Sequence, residues 1–255
     1  MKLSVVPEPD QLLPATEFID QINTLTFDER EEAALTTLLQ GHVPSYMRNF
    51  VKLTVTFRDK QNVTRELSLH VLPDYLTIGD DLDHLLMPLN PLTAQKLCDA
   101  WNCMLPTSKI VNMIWSSAAF KLPPQPWGPP YDASMHSTVR YVAHNERIMM
   151  TMQKNIVDHT KLVAGHKKDV ILCNRLALQP KQVAIYGWHQ SNGTPIQPVS
   201  LVHENTYADY SHGIRLVSLE CELDGNIEDL RAVLQDPALC IAVSNEGPLK
   251  VIRQP

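Results

Sequence analysis

The sequence predicts an α+β fold, with a helical N-terminal half carrying one β-hairpin and a β-rich C-terminal half packed against helices. Three observations lead there. Helix-start signals at Thr26 and Asn90 precede apolar residues at helical spacing. Between them, Val51, Leu53, Val55 and Phe57 alternate with polar residues, and Val63, Leu67, Leu69 and Val71 follow after Asp59–Asn62. That pattern is a hairpin with one covered face. After Leu162 short apolar runs replace the helical period: Val170-Ile171-Leu172, Val183 to Tyr186, and Ile214 to Val217.

The elements follow in order. Residues 1–15 are an extended, proline-punctuated lead, and Thr16 caps a short helix over Glu17 to Leu25. Thr26-Phe27-Asp28-Glu29 is a capping box with an acidic first turn. Its helix runs to about Gln40 and stops at Gly41. The loop Gly79 to His84 gathers three carboxylates and a histidine without EF-hand spacing, which favours a solvated capping loop over a metal loop. Asn90-Pro91 starts a helix carrying Leu92, Leu97, Ala100, Trp101 and Met104 inward. Pro106-Thr107 breaks it, and Ile110, Val111, Ile114 and Trp115 line a second helix. Lys121 to Tyr131, KLPPQPWGPPY, excludes helix and central strand and reads as a rigid strap. Ser134 to Asn155 reads as a helix, with His136 and His144 two turns apart on one face. Later strands are expected at Gln182 to Trp188, Ile214 to Leu219 and Leu239 to Val243, with a helix over Ile227 to Leu234. The whole reads as one compact unit of 255 residues. The strap at 121–131 marks a subdivision between a mainly helical 1–120 with its hairpin and a β-rich 132–255 that carries the candidate site.

Composition narrows the function. A net charge of −6 argues against broad nucleic-acid binding, which needs a basic face. No apolar run is long enough to span a bilayer, and the first residues do not form a signal peptide as written. The five cysteines show no CxxC spacing, so a cysteine zinc site is not expected.

The residues between the strands near 185 and 215 carry the chemistry. Gly187 to Val217 holds three histidines, two tyrosines, an aspartate, an arginine and, beside His212, Ser211. Polar residues at strand ends are where a rigid scaffold positions function. His189, His203 and His212 suit proton transfer near neutral pH, with Asp209 to orient a ring and Tyr207 to donate to developing charge. Arg215 could grip a carboxylate. Three readings remain open. One is metal-assisted hydrolysis, with His189, His203 and His212 or Asp209 holding a divalent ion such as zinc. Another is nucleophilic catalysis by Ser211, although no GxSxG elbow is present. The third is a structural polar core. His166 and Lys168, on the strand entering at Gly165, are candidates for an anionic substrate group.

Tyr210-Ser211-His212-Gly213-Ile214-Arg215-Leu216 resembles the L,D-transpeptidase active-site motif, SHGCIRL, with its cysteine missing. Ala184 to His189 loosely matches the strand that carries an earlier histidine in that family. The resemblance implies a peptidoglycan substrate and a compartment outside the cytoplasm, any export signal lying outside the given chain. The missing residue is that family's nucleophile, so the usual thiolate mechanism is not expected. The leading expectation is a hydrolase acting on a peptide or glycan polymer. The alternative is a non-catalytic carbohydrate- or peptide-binding protein, with Trp127, Tyr131, Trp188 and Tyr207 lining a groove.

Overall fold

The computed structural model describes all of the chain except Ser4 and Pro130. Helices and strands interleave along its whole length. The first half holds α1 (Ala15–Ile22), α2 (Phe27–Leu39), β1 (Val51–Arg58), β2 (Thr64–Val71), β3 (Thr77–Gly79), β4 (His84–Leu86), α3 (Pro91–Ala100), β5 (Cys103–Met104), α4 (Ser108–Ser117) and β6 (Phe120–Lys121). The second holds α5 (Thr138–Lys154), β7 (Val163–Ala164), β8 (Lys168–Val170), β9 (Ile185–His189), β10 (Pro195–Ser200), β11 (His212–Gly213), β12 (Val217–Ser218), β13 (Glu220–Leu223), β14 (Asn226–Asp229) and α6 (Leu230–Gln235).

The expected division into a helical half with one hairpin and a β-rich half is therefore overturned. A second hairpin, β3–β4, sits in the first half, and the longest helix, α5, sits in the second. The reason is brevity. Strands of two or three residues are too short to show an alternating pattern in sequence.

Where local signals are strong, the chain follows them. Thr26 and Glu29 close a reciprocal capping box at the start of α2. Asn90 caps α3, with Pro91 in its first turn. The first hairpin pairs Val51 with Val71 through to Arg58 with Thr64. In the loop at Gly79 to His84, Asp80 caps the backbone of Leu82 and Asp83, while Asp81 and Asp83 reach Ser45 and Thr16. These carboxylates serve as caps.

Later elements differ from expectation: the strand expected over Ile214 to Leu219 keeps only Val217–Ser218, and the helix expected from Ser134 starts at Thr138, after a 3-10 turn over Ala133–His136. Leu239 to Val243 is no strand: Asp236 accepts from the Ala238 and Leu239 amides, and a 3-10 turn follows over Cys240–Ala242. The helix expected from Ile227 begins only at Leu230, because Asn226–Asp229 pairs back on Glu220–Leu223. Asp224 and Gly225, both at positive φ, make the two-residue turn between them.

Two main sheets position the site. In the six-stranded sheet β2 is central, pairing with β1, β13 and β12, and β5 closes the far edge. The four-stranded sheet runs β10-β9-β8-β11, with β8 and β11 parallel. The largest apolar cluster draws on both sides of the proline strap, from Leu3 to Leu249. Pro130 of that strap lies outside the described residues. No helix among the described residues is long and apolar enough to cross a membrane.

Candidate functional site

The loop from Ala208 to Ser211 is clamped by several distant elements. The Met135 carbonyl accepts from the Tyr210 amide at 3.2 Å, and His136 Nδ1 meets the Ala208 carbonyl at 2.6 Å. Lys167 Nζ donates to the Tyr210 carbonyl at 2.6 Å, and the Lys168 amide donates to the Ser211 carbonyl at 2.8 Å. His136 and His144, expected on one helical face, both meet this loop: His144 packs edge-on against Tyr210, with ring centroids 4.7 Å apart.

Asp209 is the centre of the loop. One carboxylate oxygen accepts from the Ser211 amide at 2.8 Å and the Ser211 hydroxyl at 2.5 Å. The other accepts from the Tyr207 hydroxyl at 3.0 Å. Burial works against the charge, but the fields of His212 and Lys168 and the Ser211 bonds outweigh it and hold the carboxyl well below the usual range. His212 is buried, and neither ring nitrogen has a hydrogen-bond partner among the described residues. Burial draws its pKa down to about 4, against the opposing pull of Asp209. Burial also lowers that of His203. Both imidazoles are therefore neutral near pH 7 and able to accept a proton.

In front of Asp209 stands Tyr207. His203 stacks on its ring at 3.9 Å, His136 meets it edge-on at 4.7 Å, and His212 lies at 5.6 Å. The Tyr207, His203 and His136 rings border a pocket of about 470 Å³, lined also by Phe27, Val202, Glu204 and Thr206, while His212 stays buried behind it. That volume lies within the range of pockets that hold small ligands.

Behind the loop lies a second, sealed polar layer. Asp74 and His166 are both buried, with Oδ1 and Nε2 3.1 Å apart. Burial opposes ionisation of Asp74, but His166 and Arg215 overcome it and lower its pKa. Tyr75 donates to Asp169 at 2.9 Å, and burial raises Asp169 to about 7. Burial draws Lys167 down to about 7. So dense a set of buried ionisable groups is costly to fold and is typical of functional regions. Gly213 makes this layer possible. A Cβ there would stand 2.5 Å from Tyr75 Cδ1 and 2.7 Å from Lys167 Cβ.

Several expected site residues are elsewhere. His189 stacks on Trp115 and bonds Asn112 at 3.0 Å. It lies on β9, two strands from His212 on β11. That is about 10 Å across the sheet, and the His189 ring is taken up by Trp115 and Asn112. Among the described residues no group of three or more His, Cys, Asp or Glu side chains could hold a metal, so the set His189, His203 and His212 is not a metal site. Arg215 is fully buried, donates to the Leu72 and Val163 carbonyls and covers the Tyr75 ring. It is a structural cross-tie, out of reach of substrate. His166 is likewise sealed against Asp74. Lys168 is half-buried over the Trp188 ring, within the field of Asp209. Ser211 gives its proton to Asp209 with no imidazole as partner, so it lacks the base a nucleophile needs.

The four aromatics of the expected groove also part. Trp188 is buried, its indole N–H bonded to the His166 carbonyl. Trp127 is held by Arg140 and Arg147, whose guanidinium carbons lie 4.2 and 3.6 Å from its ring centroid. Tyr131 is 74% exposed, and only Tyr207 faces the pocket. Sequence reasoning missed Phe27, Glu204 and Thr206 as pocket walls, and Asp74, Tyr75 and Lys167 behind them. A buried carboxylate such as Asp74 carries no local pattern that marks it.

Comparison with family models, with curated proteins and with solved structures yields no match for this chain.

Proposed function

We propose that the protein is a hydrolase acting on a peptide or glycan polymer, with the Asp209 loop as its catalytic centre. The observation that carries this reading is the buried, ionised Asp209 bonded to Tyr207 at the wall of an open pocket, with two neutral imidazoles beside it. His203 faces the pocket and takes the proton from an attacking water. Asp209 stabilises the imidazolium that forms. Lys168 adds its field to that of His212 in keeping Asp209 ionised. Tyr207 holds the His203 ring flat and fixes the carboxylate.

The L,D-transpeptidase-like motif, Tyr210 to Leu216, supports cell-wall peptidoglycan as the polymer and a working place outside the cytoplasm. β9, the strand matched to that family's earlier histidine, lies in the same sheet as His212. The thiol chemistry of that family does not carry over. All five cysteines are buried and free, and burial raises Cys221 to about 12. A water-based reaction suits the groups present.

The test is turnover on peptidoglycan and on defined peptide and glycan oligomers, reading new amino and reducing ends. Wild type should release product, and His203→Ala should lose about 100-fold or more while keeping its circular dichroism. No release from any of these polymers would overturn the reading.

A further inference from the structure

We infer that the pocket in front of Tyr207 is a binding site for an alkylammonium group, the cationic end of a lysine-like side chain or a quaternary amine. Four rings build it. Phe27 and His136 meet edge-on at 5.9 Å, His136 and Tyr207 at 4.7 Å, and Tyr207 and His203 stack at 3.9 Å. All four rings line one concavity, and a cation beside aromatic rings gains what a neutral group does not. The exposed carboxylate of Glu204 lines the same pocket and supplies the counter-charge. Val202 and Thr206 complete the wall, so the lining contains no basic residue other than the two histidines.

Phe27 already holds a cation on this principle. The Arg30 guanidinium carbon lies 5.5 Å from the Phe27 ring centroid and 5.8 Å from that of Tyr141. Arg30 is wedged between those two rings and is not part of the pocket lining. The volume of about 470 Å³ admits an alkylammonium head and several methylenes.

Cation binding itself stands on the rings and Glu204. Its role as a substrate subsite rests on the hydrolase reading, and would then select polymers bearing a free amine near the cleaved bond.

The experiment measures binding by NMR without any turnover, so its outcome is separate from that of the hydrolase assay. The probes are Nα-acetyl-lysine methylamide and its Nε-acetylated form, and choline with its neutral isostere 3,3-dimethylbutan-1-ol. One or both cations should shift the Tyr207 and His203 ring signals, and the neutral counterparts should bind at least about fivefold more weakly. The tighter cation identifies the head group as primary or quaternary. Glu204→Gln, an exposed change, should weaken the cation by about fivefold. Phe27→Leu, checked for fold by circular dichroism, should do the same. Equal binding of charged and neutral probes, or no binding of either cation, would overturn the assignment.

Discussion

The Tyr207 hydroxyl donates to Asp209 Oδ2 at 3.0 Å and ties the wall of an open pocket to a buried, charged carboxylate. Tyr207→Phe deletes that bond and leaves the ring stack with His203. Asp209 keeps its two Ser211 donors, so the loss of stability should be modest, about 1–2 kcal/mol. Urea denaturation measures it, and polymer hydrolysis should fall further than stability does.

Gly213→Ala tests the close packing behind the loop. Its Cβ would press on the Tyr75 ring and the Lys167 stem. Neither neighbour can retreat freely, since Tyr75 is bonded to Asp169 and Lys167 to the Tyr210 carbonyl. A destabilisation of about 1–3 kcal/mol is expected, read from the denaturation midpoint.

Asp169 should leave a pH signature. Burial raises its pKa to about 7 in the fold, against about 4 in the unfolded chain. The folded state therefore binds the extra proton between those values. Its contribution is complete below about pH 4 and is lost as pH rises through about 7. Asp169→Asn cannot ionise, so across that window the variant should lose less stability than wild type. Melts at half-unit pH steps check the difference in slope.

His144 acts with the opposite sign. It is buried, its ring nitrogens have no partner among the described residues, and burial holds its pKa far below the usual histidine value. The unfolded chain gains a proton below about pH 6.5 that the fold refuses, so stability is lost as pH falls from there. His144→Leu removes both this effect and the unpaired ring. The variant should be more stable than wild type by about 1 kcal/mol at neutral pH, with a growing margin in acid. Parallel melts at pH 7 and pH 5 decide it.

Thr26→Ala removes the capping box at the start of α2. A loss of about 1 kcal/mol is expected in thermal or chemical melts. Phe27 is the first residue of that helix and a wall of the pocket, so ligand affinity should fall as well.

Legibility in the sequence followed the strength of local chemistry. The capping box at Thr26, the Asn90-Pro91 start and the alternation through Val51 to Phe57 each carry their own signal, and each stands in the fold. Asp224-Gly225 carried an equally good turn signal, and missing it misplaced a helix by three residues. Strands as short as His212–Gly213 or Val217–Ser218 exist only through their partners and leave no periodic trace. In the site, His203, Tyr207, Asp209 and His212 were legible because they are near one another in sequence. His189 misled for the same reason, since a strand crossing separates it from them. Arg215 was misjudged because a buried guanidinium and an exposed one look alike until the carbonyls of Leu72 and Val163 are seen around it.

Phe27 and His203 line one cavity although the proline strap runs between them in the chain. Cutting the polypeptide at the strap would therefore bisect the cavity, and neither fragment alone would reconstitute ligand recognition. Only recombining both pieces would restore it, which makes the strap a poor place to trim this protein for expression.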